Sequence, residues 1–197
     1  MKASDWREIL GEARNAHGKV LFTVTELAHV AHVGRNALNV ELSRLRRQGI
    51  VARYAHGLYG LPGAVSAEEL LLAIDSHSYM TGLYALYRHH LIAQVPTAIT
   101  CFTDRRSPRA RVRSTPVGRF IFVCVRSEVY DPPGDKPMVG PEQALLDFVY
   151  LCRREGAAPL SQATFRDLDR LRAGVLGLLV KRYPSTVGAD VERLLAR

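Results

Sequence analysis

The sequence is poor in cysteine. Only three of its 197 residues are cysteines, and Cys101, Cys124 and Cys152 lie far apart, each in an apolar segment. An odd number of widely spaced cysteines favours neither a disulfide framework nor a zinc site. The sequence therefore predicts three buried free thiols in a protein of a reducing compartment.

Long apolar runs are also lacking. The longest, Phe120–Val125, has the length of a strand, whereas a membrane-spanning helix needs about 20 apolar residues. The segment Met1–Glu8 is polar and lacks the apolar core of a signal peptide. We therefore expect a cytoplasmic protein with no membrane partner.

Acidic residues are too few to balance the basic ones. The chain has 19 Asp and Glu against 27 Lys and Arg, so its formal net charge is +8 at pH 7. Such a balance favours an anionic partner, nucleic acid before membrane. The apolar fraction of 47% is nevertheless that of a globular protein with a real core.

Motifs of catalysis and of phosphate binding are missing as well. The chain has no G-x-x-x-x-G-K-[ST], G-x-G-x-x-G or H-E-x-x-H pattern, and no Gly-Ser with paired Asp as in nucleotidyltransferases. The adjacent His89 and His90 would point about 100° apart on a helix, so we expect one packed and one solvated imidazole. A metal-dependent nuclease is a third possibility, resting on Asp131, Asp135, Lys136 and Glu142, but Asp135 and Lys136 lie in Pro- and Gly-rich sequence rather than on a strand. We expect a protein that is not an enzyme and needs neither cofactor nor metal.

What the sequence does have is a polar helix with an unusual outer face. The segment from Gly34 to Gly49 reads as one helix, and its leucines at 38, 42 and 45 fall on one side. The opposite arc is either a solvated polar face or a DNA-recognition helix, because Asn and Arg pair bidentately with adenine and guanine edges. This arc carries Asn36, Asn39, Val40, Ser43, Arg44, Arg46 and Arg47, with Glu41 as the one acidic neighbour at its edge.

The segments around this helix favour DNA binding. Thr23 and Glu26 form a capping box that opens a short helix over residues 24–32, and Val33-Gly34 gives a tight turn into the polar helix. Residues 50–54 and 58–61 read as two strands joined by the turn Ala55-His56-Gly57, and residues 20–22 could pair with them. An ordered set of helices followed by a hairpin predicts a winged helix-turn-helix domain. The predicted DNA-binding residues are Arg35, Asn36, Asn39, Val40, Ser43, Arg44, Arg46 and Arg47 on the helix and Arg53 and His56 on the wing.

The rest of the chain predicts a second domain of mixed structure. We place the boundary between the winged-helix domain, 1–63, and a C-terminal α/β domain, 66–197, with a small sheet flanked by helices, which makes the fold class α+β. Helices are predicted near 66–77, 82–93, 141–152, 162–172, 174–183 and 189–196, with His90 on the inner face of the second. Strands are predicted over 97–103 and 119–126, the latter apolar on both faces and hence central.

An arginine-rich stretch follows the first of these strands and extends through the second. Residues 105–126 contain seven Arg and no Asp or Glu. The stretch is either a solvated hairpin, a second phosphate-contact surface, or a docking site for an acidic partner or for bound nucleic acid. Arg111 and Arg113 are two residues apart and would share one face of a strand. The candidate partner-binding residues are Arg105, Arg106, Arg109, Arg111 and Arg113.

Four features together resemble the AbiEi family, the antitoxins of type IV toxin–antitoxin and abortive-infection systems. They are the N-terminal winged helix, the wing ending Gly57-Leu58-Tyr59-Gly60-Leu61-Pro62, the segment Met80-Thr81-Gly82-Leu83-Tyr84-Ala85-Leu86 followed by Gln94-Val95-Pro96, and the helix start Pro141-Glu142-Gln143-Ala144-Leu145-Leu146-Asp147. They span most of residues 20–152. The chain departs from the family pattern at Gly34, Thr81 and Gln143.

The resemblance implies two tasks. The N-terminal domain would bind a double-stranded operator, as a homodimer on the DNA, and repress its own operon, while the C-terminal domain would counteract a nucleotidyltransferase-like toxin. The alternative is a stand-alone winged-helix regulator whose C-terminal domain serves dimerisation or another partner. A nucleotidyltransferase-like reading frame next to the gene would favour the antitoxin, and Mg²⁺-dependent cleavage of DNA would favour the nuclease.

Overall fold

The computed structural model describes residues 2–105 and 111–196, and these residues form two compact units. Unit 1 comprises Met1–Ile74 with Thr115–Val117, and unit 2 comprises Asp75–Ser114 with Gly118–Arg197. The domains predicted from sequence, 1–63 and 66–197, instead place residues 66–74 in the C-terminal part, and those boundaries stay a prediction.

Unit 1 begins with three helices. They are α1 (Ala3–His17), α2 (Val24–Ala31) and α3 (Arg35–Arg47). The predicted capping box at α2 is confirmed: Thr23 Oγ1 accepts from the Glu26 N–H at 3.2 Å, and Glu26 Oε2 accepts from the Thr23 N–H at 2.8 Å. The turn into α3 follows from His32, which takes a left-handed conformation with φ 52°. Gly34 then begins α3 without a side-chain cap.

A small antiparallel sheet completes the predicted order of elements in unit 1. Its strands are β1 (Phe22–Thr23), β2 (Ala52–Ala55) and β3 (Leu58–Gly60), in the order β1-β3-β2. The turn between β2 and β3 uses Gly57 at φ +75°, a conformation that glycine adopts without steric cost. At Gly60, a Cβ atom would lie 2.3 Å from the Val20 carbonyl oxygen, so this position cannot carry a side chain without a backbone shift.

The core of the helices and sheet of unit 1 forms around the leucines of α3. Leu38, Leu42 and Leu45 are at most 1% exposed and pack in one cluster with Trp6 and Leu10 of α1 and with residues of α2 and the sheet. The helical period of 3.6 residues brings these leucines to one side, as predicted. Helix α4 (Ala67–Ile74) follows, and its start is fixed by a second capping box between Ser66 and Glu69.

Unit 2 is built on a four-stranded mixed sheet. Its strands are β4 (Tyr79–Thr81), β5 (Ile99–Thr103), β6 (Val112–Thr115) and β7 (Gly118–Cys124), in the order β4-β5-β7-β6. β7 runs parallel to β5 with Phe120 opposite Ile99, while β4 is antiparallel to β5. β7 therefore lies inside the sheet, as its apolar sequence predicted.

The helices of unit 2 include α5 (Gly82–Arg88), α6 (Pro141–Glu155), α7 (Pro159–Gln162), α8 (Ala173–Leu179) and α9 (Ser185–Leu195). Two sequence predictions are wrong. The helix expected over 82–93 ends at Arg88, and His90 is exposed with φ 63° instead of packed inward. The helix expected over 162–172 is absent, and only a short 3-10 turn, Leu168–Arg170, forms there.

The core of unit 2 forms around α6. Leu145, Phe148 and Val149 are buried as predicted, within a cluster that also takes in residues of β4, α5, α8 and α9. The buried Asp147 accepts a hydrogen bond from the Thr81 hydroxyl and another from the Tyr183 hydroxyl, both at 2.6 Å. Across residues 2–105 and 111–196, no helix is long and apolar enough to cross a membrane.

Candidate nucleic-acid interface

The outer face of α3 is continuous, polar and exposed. Because successive helical residues turn by about 100°, the buried leucines at 38, 42 and 45 leave the opposite side of the helix to solvent. The middle of that side is formed by Asn36, Val40, Ser43 and Arg47. Every predicted DNA-binding residue of the helix is exposed: Arg35, Asn36, Asn39, Val40, Ser43, Arg44, Arg46 and Arg47.

The one carboxylate of α3 is held away from this face. Glu41 Oε1 accepts a hydrogen bond from the Trp6 indole N–H at 2.9 Å and lies 3.5 Å from Arg44 Nη2. Only 14% of its side chain is exposed. Since Trp6 belongs to the core cluster, the packing of α1 against α3 fixes this carboxylate. The exposed face of α3 is left with arginines, neutral polar groups and the apolar Val40.

The hairpin β2–β3 presents a second basic pair. Arg53 and His56 are exposed, as a wing that meets a phosphate backbone would require. Arg53 Nη2 donates to His56 Nδ1 at 3.1 Å, and Arg53 Nε donates to the Ala55 carbonyl at 3.3 Å. A guanidinium can only donate, so His56 accepts through Nδ1 and its Nε2–H can donate outward.

The arginine-rich stretch is divided between several environments in unit 2. Arg105 Nη2 donates to His77 Nε2 at 2.5 Å. Arg113 is half-buried with its guanidinium carbon 5.0 Å from the centre of the Phe122 ring, and Arg111 is exposed. Arg105, Arg111 and Arg113 all line one groove. The candidates Arg106 and Arg109 lie outside the described residues.

Other basic residues of the same groove escaped the sequence analysis. Arg126, Arg153, Arg154, Lys181 and Arg182 line it as well, and they come from three distant parts of the chain. The one local feature of the sequence that could have indicated them is the occurrence of two adjacent basic residues at 153–154 and again at 181–182. Nothing in the sequence predicted that these basic pairs lie beside the arginines near residues 105–113.

The carboxylates of the nuclease alternative are not assembled into a site. Asp131 Oδ1 lies 2.6 Å from Arg182 Nη1, and Glu142 Oε1 lies 2.9 Å from Arg172 Nε. Asp135 and Lys136 are exposed in a loop. His89 Nε2 contacts the Val139 carbonyl at 2.7 Å, while His90 faces solvent. Within the described part of the chain, no three His, Cys, Asp or Glu side chains come together as metal ligands.

The cysteines stay separate thiols. Cys101 and Cys152 are buried as predicted, whereas Cys124 is only half-buried. Burial raises the pKa of the Cys152 thiol to about 11 and raises that of Cys101 further above its usual range. These two thiols are therefore protonated at neutral pH and poor nucleophiles.

One comparison with known proteins bears on this surface. Residues 13–62 match the family described as a transcriptional regulator, AbiEi antitoxin. The matched segment runs from the end of α1 through α2, α3 and the hairpin, so it contains every exposed residue of the α3 face and the Arg53–His56 pair. No match to the chain was found among curated proteins.

Proposed function

We propose that this chain is a sequence-specific DNA-binding repressor rather than an enzyme, because its residues 13–62 match the family described as a transcriptional regulator, AbiEi antitoxin. In this proposal the N-terminal segment, 1–63, acts as a winged helix-turn-helix domain. Helix α3 enters the major groove of an operator, and the β2–β3 hairpin is the wing beside it.

The observation that carries the proposal is the composition of the exposed α3 face. A helix that merely faces water has no reason to exclude carboxylates, and on most solvated helices acidic and basic residues alternate. Here the one acidic side chain, Glu41, is held by Trp6 and Arg44, so it would not repel a phosphate backbone. The amide, hydroxyl and guanidinium groups that remain are those that read base edges and bind phosphates.

The exposed residues divide into two roles in this proposal. Asn36, Asn39 and Ser43 read base edges through hydrogen bonds, and Val40 adds an apolar contact. Phosphates are bound by Arg35, Arg44, Arg46 and Arg47 on the helix and by Arg53 and His56 on the wing. These phosphate contacts position the protein on any sequence, so they supply affinity without specificity.

The family assignment also supports a wider role. We propose that the chain represses its own operon, binds the operator as a homodimer, and counteracts a nucleotidyltransferase-like toxin through its C-terminal part. A stand-alone regulator is the second candidate, because the family match ends at residue 62 and does not extend into the C-terminal part.

Nuclease footprinting on the DNA upstream of its own gene tests this function. We expect purified protein to protect a discrete site there, and a reporter driven by that DNA to be repressed when the protein is expressed. A symmetric protected site with two half-sites would support the homodimer. Uniform protection of upstream and unrelated DNA, with an unrepressed reporter, would overturn the proposal of a specific repressor.

A further inference from the structure

A large basic groove in unit 2 has no part in the proposed operator contact. Its volume is about 1340 Å³. It is lined by residues of β6, β7, the last turn of α6 and the start of α9. Eight Arg and Lys side chains face it against three carboxylates. One of those carboxylates, Asp75, already accepts hydrogen bonds from the Ser78 hydroxyl at 2.7 Å and the His77 N–H at 3.0 Å.

Several of the cations have no partner of their own. Arg153 is paired with Asp190 and Arg182 with Asp131. By contrast, Arg111, Arg126 and Lys181 are exposed and form no side-chain ion pair or hydrogen bond with any residue of the ranges 2–105 and 111–196. Cations that converge on one concave surface without counterions attract an anionic ligand, because each contact releases the counterions of that ligand.

The groove also offers flat surfaces among its charges. The Arg113 guanidinium carbon lies over the Phe122 ring, 5.0 Å from its centre, and both residues line the groove. Tyr150, half-buried, lines the same groove and is held edge-on by Phe102 and Tyr183, with ring centroids 6.3 and 6.2 Å away. Unpaired bases stack on aromatic rings and on arginine planes of this kind.

Size and shape narrow the ligand class. Pockets for small molecules measure about 300–1,000 Å³ and carry only a few polar groups, whereas this groove is larger and is lined by eight Arg and Lys side chains. A duplex keeps its bases stacked inside and presents a stiff outer backbone, so it could not use the flat surfaces of Arg113 and Tyr150. A single strand presents phosphates and bare bases together.

We propose that this groove binds single-stranded nucleic acid. The phosphates lie against Arg111, Arg126 and Lys181, and bases stack on Arg113 and Tyr150. The groove shares no residue with α3, so the chain would have one surface for an operator duplex and a second for an unpaired strand. The groove proposal does not depend on the proposed repressor function.

Fluorescence polarisation with the full-length protein tests the groove. The probes are labelled oligo(U) and oligo(dT) of about ten nucleotides, a length within the range of known single-strand sites. Comparison of the two probes distinguishes binding of RNA from binding of DNA. Unlabelled duplex of unrelated sequence and an acidic peptide of Glu residues are the competitors. We expect one or both single strands to bind, with neither competitor displacing them at equal charge concentration.

A charge-matched pair of variants locates the site. Arg111→Ala with Lys181→Ala removes one Arg and one Lys of the groove. Lys136→Ala with Arg166→Ala removes the same charges from exposed positions elsewhere in unit 2. For the groove variant we expect roughly tenfold weaker binding and a log–log salt slope shallower by about 1.4, since each contact to a single strand contributes about 0.7. The control variant should bind like the wild type.

Further outcomes separate this proposal from the repressor function. Arg46→Ala with Arg47→Ala weakens the α3 face and should leave binding of the single strand intact, while the groove variant should still protect the operator. Equal loss in the groove and control variants would overturn the groove assignment. Displacement of the strand by the acidic peptide at equal charge would overturn it too, in favour of an acidic protein partner.

Discussion

At the scale of single residues, Val40 is the most informative side chain of the α3 face. It exposes 73% of its surface in the middle of polar neighbours, where an apolar side chain gains nothing from water. In the proposed complex it faces base edges, and the C5-methyl group of thymine is the apolar feature of the major groove. Val40 would then distinguish thymine from the other bases.

Deletion of that methyl group tests the role of Val40. Replacing the contacted thymine by uracil should weaken binding of the wild type by about 0.8 kcal/mol, roughly fourfold, the value of one buried methylene. In Val40→Ala the same replacement should have little effect, because the partner methyl groups are gone. The control is Val30→Ala, an exposed valine of α2, which should keep the full effect of uracil. The measurement is a titration of each protein with both duplexes, and equal uracil effects in wild type and Val40→Ala would contradict the contact.

The α3 face could be predicted from sequence, whereas the groove of unit 2 could not. The leucines at 38, 42 and 45 define the buried side of α3 through the helical period alone, and the exposed arc follows from it. The cations of the groove meet only after distant segments fold together, so no local pattern revealed Arg126 or Lys181 as its members. His90 shows the same limit, because the predicted helix ends five residues early, at Arg88, and His90 is exposed instead of packed inward.

At the scale of elements, local capping chemistry predicted the start of α2, whereas tertiary packing prevented a helix that hydrophobic periodicity predicted. The box at Thr23–Glu26 and the Ser66–Glu69 start are both formed. The helix expected over 162–172 had apolar residues at helical spacing, Phe165, Leu168 and Leu171. Instead, Phe165 forms a bridge with Ile92 and its ring packs edge-on against Phe148 at 5.8 Å. The bridge gives Phe165 an extended backbone, which a helix over 162–172 would exclude.

Asp147 connects α6 to two other elements and makes unit 2 sensitive to pH. Desolvation raises the pKa of this carboxyl to about 7, although hydrogen bonds from Thr81 and Tyr183 oppose the shift. In the unfolded chain its pKa is about 3.9. Between these values the folded state holds one more proton than the unfolded state, so the free energy of unfolding falls as pH rises, by about 1.4 kcal/mol per unit.

Replacement of this carboxyl by an amide should remove that dependence. We expect Asp147→Asn to gain stability relative to the wild type as pH rises from about 4 to about 7, and the difference to stay constant at higher pH. Denaturant unfolding of both proteins across this range measures it, and the other titrating groups cancel in the difference. Asp135→Asn, at an exposed loop position, should show no such trend. Parallel stability curves for wild type and Asp147→Asn would contradict the account.

At the scale of the whole molecule, each unit has a core of its own. One core cluster lies within residues 3–61 and the other within residues 79–194. A segment with its own core can fold alone. The two proposed tasks, operator binding and the action of the C-terminal part, could therefore be separated by cutting the chain between these cores.

A fragment of residues 66–197 tests that separation. We expect it to unfold cooperatively, since it contains the whole second cluster, and to leave the reporter unrepressed because it lacks α3. Co-expressed with a toxin encoded beside its gene, it should restore growth if the chain is an antitoxin. The matched control is a fragment of residues 75–197, which begins at the observed boundary between the units. A folded 66–197 fragment that neither restores growth nor binds the neighbouring protein would favour the stand-alone regulator.

The central claim is that α3 reads a base sequence, and the specificity of Asn39 tests it most directly. Affinities of the wild type and Asn39→Ala are measured on the footprinted operator and on a scrambled duplex at one salt concentration, with the exposed Asn15→Ala of α1 as the control. A bidentate contact between Asn39 and an adenine predicts a loss of about 1–3 kcal/mol on the operator and almost none on the scrambled duplex. Equal losses on both duplexes, or no loss on either, would contradict base reading by this helix.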